Sequence, residues 1–213
     1  DDDLTLGRYD GATVTAYRVN WLDPAIRDLQ RVDTIGEITR DDGVFRAELR
    51  SGQQAMNIVR GRRYQNQCDA DLGDDRCGVD LDQPTLKTAA NVVAVVNRHT
   101  LNLGDLGGFA RGWFSHGRAT WLDGRRVGLI DRVIAHAIAG TDHQFSFALP
   151  VGDWVAAGDA VTLDAGCDKA HATCRQKFAN VQNFRGFPHI PGTDFLLRYP
   201  LPGDGFDGGP VVS

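Results

Sequence analysis

The sequence predicts a mainly β chain in two parts. Three observations carry this. Apolar and β-branched residues recur in short alternating runs instead of at helical spacing. Asp-Gly pairs separate several of those runs and suit tight turns. The chain is also rich in glycine, with 25 among 213 residues, and 42% of it is hydrophobic, enough to bury a core.

The elements follow in order. "ATVTAYRVNWLD" (Ala12–Asp23) alternates and reads as a strand. "RVDTIGEITRDDGVFRAELRS" (Arg31–Ser51) reads as a hairpin turning at Asp42–Gly43, and "GQQAMNIVRG" (Gly52–Gly61) as a short helical turn. Residues 1–60 thus form an N-terminal β unit. Residues 61–82 form a polar loop carrying Cys68 and Cys77. The β pattern returns over 83–165, where "TAANVVAVV", "GWFSHGRATWLDGRRVGLIDRVIAHAI", "HQFSFALP" and "VAAGDAVTLDAG" predict a small β-barrel or sandwich, with a hairpin-type turn at Asp123–Gly124. Residues 166–200 hold Cys167 and Cys174 on a short helix and loop, and 201–213 form a C-terminal tail, extended or disordered.

Charge and motifs exclude several classes. A net charge of −5 gives no basic coating for nucleic acid. Three of the 23 basic residues are lysines: Lys87, Lys169 and Lys177. No apolar run reaches the roughly 18 residues needed to span a bilayer. The G-x-G-x-x-G match at Gly203–Gly208 follows no strand and opens no helix, and there is no Walker A loop, H-E-x-x-H or G-x-S-x-G. No catalytic residues are proposed. Asp69, Asp71, Asp74 and Asp75 crowd one loop without the EF-hand pattern, and they read as a solvated acidic loop. Arg60, Arg62 and Arg63 form a basic run whose default reading is a solvated face.

The four cysteines form two pairs, with eight residues between Cys68 and Cys77 and six between Cys167 and Cys174. The pairs bracket the second β unit, so a compact unit would bring them together. Buried free thiols, disulfides, zinc and an iron–sulfur cluster all compete. The polar, Gly-rich setting argues against simple apolar burial. Zinc sites favour tighter C-x₂₋₄-C turns, and neither common ferredoxin spacing occurs, so spacing alone leaves zinc and a cluster level.

"CDADLGDDRCGVDL" followed by "GCDKAHATCRQKFANVQNFRGFPHIPG" resembles the baseplate hub proteins of phage-like gene transfer agents and related prophage tails. "YDGATVTAYRVNW", "IGEI", "WFSHGRATWLDGRRVGLIDRV" and the Ala157–Gly158–Asp159 turn share that likeness, which covers nearly the whole chain. More distantly the chain is similar to the tail tip protein L of lambda-like phages, which carries a [4Fe–4S] cluster on two separated cysteine pairs. The resemblance implies that Cys68, Cys77, Cys167 and Cys174 hold a [4Fe–4S] cluster, with zinc as the alternative, and that the two cysteine loops form a metal-cluster cap. His171 and His189, which lie near the cysteines in sequence, could replace a thiolate, but they read as loop residues hydrogen bonded around the site.

The resemblance further implies a structural subunit of a virion-like tail baseplate, synthesised in the bacterial cytoplasm. Its copies would form a homo-oligomeric ring, a trimer, around the channel through which DNA passes without specific binding. Its neighbours would be a distal tail protein ring and a central tail-tip or fibre protein. Family members usually carry more β structure before this point, so the first unit is expected to be truncated at its start. Two other classes stay open: a metal- or Fe–S-dependent enzyme, and a cell-wall-degrading tail protein.

Overall fold

The computed structural model describes residues 2–41, 43–57, 61–104, 106–140 and 142–190, without the side chains of residues 40 and 55. The Gly203–Gly208 motif, Asp42 and Arg60 lie outside the described residues. The chain divides into two compact units, Asp1–Gly61 and Arg62–Ser213.

The first unit opens with a one-turn helix, α1 (Asp2–Thr5), and continues into three strands: β1 (Thr13–Val19), β2 (Arg27–Asp41) and β3 (Val44–Ser51). They form an antiparallel sheet in the order β1–β2–β3. The second strand starts four residues earlier than its alternating pattern suggests, because Arg27, Asp28 and Leu29 pair with the end of β1. Asp41 pairs with Val44, so the β2–β3 connection is the two-residue hairpin expected, with Gly43 at φ +77°. Pairing shifts between Ile35 and Ile38. Gly36 lies in that bulge, where an added Cβ would stand 2.3 Å from Nε of Arg50. A short 3₁₀ helix, Gly52–Asn57, follows β3.

The second unit is a closed barrel, which decides between the barrel and the sandwich. Its strands are β4 (Lys87–Asn97), β5 (Thr100–Gly104), β6 (Arg118–Trp121), β7 (Ile130–Ala139), β8 (Asp142–Phe147) and β9 (Ala160–Asp164). They run β4–β5–β8–β7–β6–β9 and back to β4, with antiparallel pairing throughout. Alternation decides which residues face inward. Leu101 and Leu103, Ala119 and Trp121, Phe145 and Phe147, and Val161 and Leu163 fill the interior with Phe114, Val133 and Val151.

The connection between β6 and β7 departs from the expected Asp123–Gly124 hairpin. It is an eight-residue turn, residues 122–129, with Gly124 at φ +70°. Its length returns Arg126 to the barrel, where the guanidinium donates to both carboxylate oxygens of Asp131 at 2.9 and 2.8 Å. The indole of Trp121 donates to the same carboxylate at 2.6 Å. Arg126 is 7% exposed and Asp131 4%, so each is a buried charge satisfied by the other. A two-residue turn could not place an arginine there.

Candidate metal centre

Barrel closure solves the problem of distance along the chain. The first cysteine loop ends in β4, and the second cysteine segment begins where β9 stops. Those strands are neighbours, and Lys87 pairs directly with Asp164. The Lys87 ammonium bridges Asp82 at 2.5 Å and Asp164 at 3.9 Å. Both cysteine segments therefore leave the barrel from the same spot.

Glycines allow the backbones to touch. A Cβ on Gly166 would lie 1.7 Å from the Ser115 carbonyl oxygen, and one on Gly117 would lie 2.2 Å from that of Asp164. The chain just before Cys167 is thus pressed against the 114–117 turn, and Gly166 donates its N–H to the Trp113 carbonyl at 3.1 Å. Gly186 meets the Asn66 and Gln67 carbonyl oxygens in the same way, each 2.6 Å from a notional Cβ, immediately before Cys68.

All four thiols line one small cavity, with Ala70, Leu72 and Phe178 among its apolar walls. The Cys167 sulfur accepts from the Lys169 N–H at 3.4 Å, and the Cys68 sulfur from the Arg185 N–H at 3.4 Å. The Cys174 thiol donates to the Asn180 carbonyl at 3.3 Å. Cys174 sits in α2 (His171–Gln176), the short helix expected there. The Asn180 amide donates to the Cys77 carbonyl at 2.6 Å and stands 3.7 Å from the Cys77 sulfur. Burial pushes the Cys174 thiol up to about 11, helped by the nearby Cys167, Cys68 and Cys77. Burial also raises Cys167. Such thiols stay protonated and are poor nucleophiles.

Two residues to which the sequence assigned no role hold the loops together. Lys169, with φ +65°, accepts the Cys68 N–H at its carbonyl (2.9 Å). Its ammonium reaches the Ala70 carbonyl and, at 3.1 Å, Asp71. Asn180 ties Cys77 to the second segment. Their signal was faint: a scarce lysine beside a cysteine, and an asparagine after a short helix.

The acidic loop is spent on the protein itself. Asp69 takes Arg62 at 2.7 Å and Arg76 at 3.2 Å, and the Arg62 hydrogen bond holds its carboxyl below the usual range. Asp74 caps the N–H groups of Asp71, Arg76 and Cys77. Arg62 also donates to the Arg185 carbonyl at 2.6 Å, so this member of the basic run is a strut and not a free surface charge. His171 packs edge-on against Phe184, ring centroids 5.0 Å apart, and His189 is exposed; neither lines the thiol cavity. Among the described residues no group of three or more His, Cys, Asp or Glu side chains is placed to hold a metal ion. The two loops come together, but the expected metal-cluster cap is not present as a ready ion site, because a single ion needs donors that converge on one point.

Comparison with known proteins decides the family. A family model described as "Baseplate hub protein, N-terminal attachment domain" matches residues 1–80. One described as "Phage conserved hypothetical protein BR0599" matches residues 112–194. A solved chain from the "Virion of native gene transfer agent (GTA) particle" is 42% identical and superposes with a TM-score of 0.86, covering 98% of this chain and 72% of that one. The chain belongs to the baseplate hub family. No curated protein matches it. The two family models divide the hub protein so that Cys68 and Cys77 fall in the first match and Cys167 and Cys174 in the second. The hub protein is thus a component of a virion baseplate, and among its described residues no helix is long and apolar enough to cross a membrane.

Proposed function

We propose that this hub protein is a structural subunit whose copies form a trimeric ring around the DNA exit channel of a phage-like tail, folded around a [4Fe–4S] cluster. Closed rotational symmetry is the economical way to build such a ring. A distal tail ring and a central tail-tip or fibre protein would be its neighbours, and DNA would pass without specific binding. The part is structural and not catalytic.

The observation that carries the cluster is the meeting of four thiols from two distant segments around one space without convergence on a point. Cys68, Cys77, Cys167 and Cys174 would be the ligands. A cubane offers four separate iron corners, and backbone N–H groups aimed at sulfur suit thiolate ligands. The open volume between the thiols is about 20 Å³. That is room for about one water, so seating a cluster requires the loops to part. When bound, such a group would link the two segments covalently through its metal, and its binding free energy would become folding free energy.

The test is purification without oxygen, followed by assay of iron, zinc and sulfide on one sample. About four irons and four sulfides per chain, with broad visible absorption, is the expected result. About one zinc would replace the cluster with a single-ion site, and metal-free protein with four titratable thiols would remove the metal from the proposal. Light scattering on the hub protein, or averaging of intact particles, tests the ring: threefold symmetry supports it, and a lone copy per tail refutes it.

A further inference from the structure

We infer that the hub protein carries an oxyanion site, suited to a phosphate group, in a cleft on the outer barrel wall beside the Cys167 turn. The inference starts from strand register. Arg118 on β6 lies directly opposite Arg132 on β7. Ala119, Asp131 and Val133 point into the barrel, so both arginines share its outer face. Like charges directly opposite on an antiparallel pair repel and destabilise it. Arg118 shares Asp164 with Lys87, at 3.5 Å from its own guanidinium. Arg132 has no ion-pair partner among the described residues.

Both arginines line an open cleft of about 300 Å³. Lys169 and His116 add to its wall, and Ile130 and Leu72 give it an apolar flank. The one carboxylate there, Asp71, is already taken by Lys169 at 3.1 Å. His116 is held at φ +65°, a conformation rare outside glycine, by the tight 114–117 turn, so the backbone fixes its position at the cleft's edge. Two arginines at paired positions on one cleft wall can offer guanidinium forks, which match a tetrahedral oxyanion better than a point charge would. The volume leaves space for a small organic group attached to it. Free phosphate and a phosphomonoester are two sources of this one chemistry.

The test compares the full chain with R132Q and R132K. Melting and calorimetric titration are run with inorganic phosphate, and separately with methyl phosphate, against chloride at equal ionic strength. Phosphate is expected to raise the melting temperature of the unaltered chain. In R132Q the affinity should fall about tenfold or more, and R132K should keep part of it. R132Q should also melt no lower than the parent in chloride, since one of two repelling charges is gone. Equal affinities for the two anions identify free phosphate as the ligand, and tighter binding of methyl phosphate identifies a phosphomonoester. No phosphate-specific shift, or the same shift in R132Q, overturns the site. The cations belong to the barrel wall and the Cys167 turn, so the result is read on protein of measured metal content and does not depend on the cluster.

Discussion

The barrel and the cysteine end of the second unit are held together by different means. The barrel has a continuous apolar core, to which all six strands contribute buried residues alongside Phe114 and Val151. The cysteine end has little such core. It is assembled from glycine-to-carbonyl contacts, lysine and asparagine donors aimed at backbone oxygens, and carboxylates that cap N–H groups. Apolar packing tolerates repacking, whereas close backbone contact and buried polar pairing do not. The difference teaches that one unit can be stable as a barrel and still depend on a few polar residues for the geometry of its thiols.

The largest way to break the comparison lies inside the barrel. Arg126→Ala leaves Asp131 charged and buried, accompanied among the described side chains by the Trp121 indole. We expect a loss of about 3–5 kcal/mol, read from the urea midpoint. If the proposed cluster binds, its metal content per folded chain should be unchanged, because the pair does not line the thiol cavity. The converse is Gly166→Ala, whose Cβ meets the Ser115 carbonyl at 1.7 Å. A cost of about 3 kcal/mol is expected, and the content of any cluster bound as proposed should fall alongside it. Gly108→Ala enters open space and should stay within about 0.5 kcal/mol.

Acid should separate the regions next. His136 is 3% exposed, stacks on Phe145 at 4.6 Å between ring centroids, and shares a 2.9 Å hydrogen bond with His143. Burial lowers its pKa to about 4, with His143 and Lys177 adding to the effect. The folded state therefore binds this proton less readily than the unfolded chain. Its contribution is intact above pH 6.5, declines as pH falls from 6.5 towards 4, and levels off below. The barrel should lose about 2–3 kcal/mol across that window, and His136→Gln should flatten the decline.

Much of this was legible in the sequence, and for identifiable reasons. Alternation in "TAANVVAVV" and "HQFSFALP" marks strands because one face must be apolar. The ends of the barrel unit were expected to meet, and the Lys87–Asp164 pairing realises that. The long 122–129 turn was hidden because its cause, the Arg126–Asp131 pair, is a tertiary contact that no local pattern records. Lys169 and Asn180 were hidden for the same reason: their partners lie about 100 residues away, and only closure of the barrel brings them into reach. The scarcity of lysine acquires a meaning only in three dimensions. Lys87 bridges two carboxylates, while Lys169 and Lys177 deliver compact charges with several donors to backbone carbonyls. For Lys177 burial is deep enough to lower its pKa to about 8.

The smallest expected effect concerns the two histidines singled out beside the cysteines. Sequence proximity placed both near the thiols, and neither lines the cavity that the four cysteines share. His171 meets Phe184 edge-on, and His189 stands exposed in its loop. His189→Ala should change stability by no more than about 0.5 kcal/mol, as exposed substitutions do. His171→Ala loses one aromatic contact, worth about 0.5–1.5 kcal/mol. Neither should alter the metal content, because neither side chain lines the cavity where the four sulfurs meet. Loss of iron or zinc in either variant would mean that the loops rearrange on binding enough to bring an imidazole to the metal. The polar end of the unit would then be a site completed by its ligand and not one built in advance.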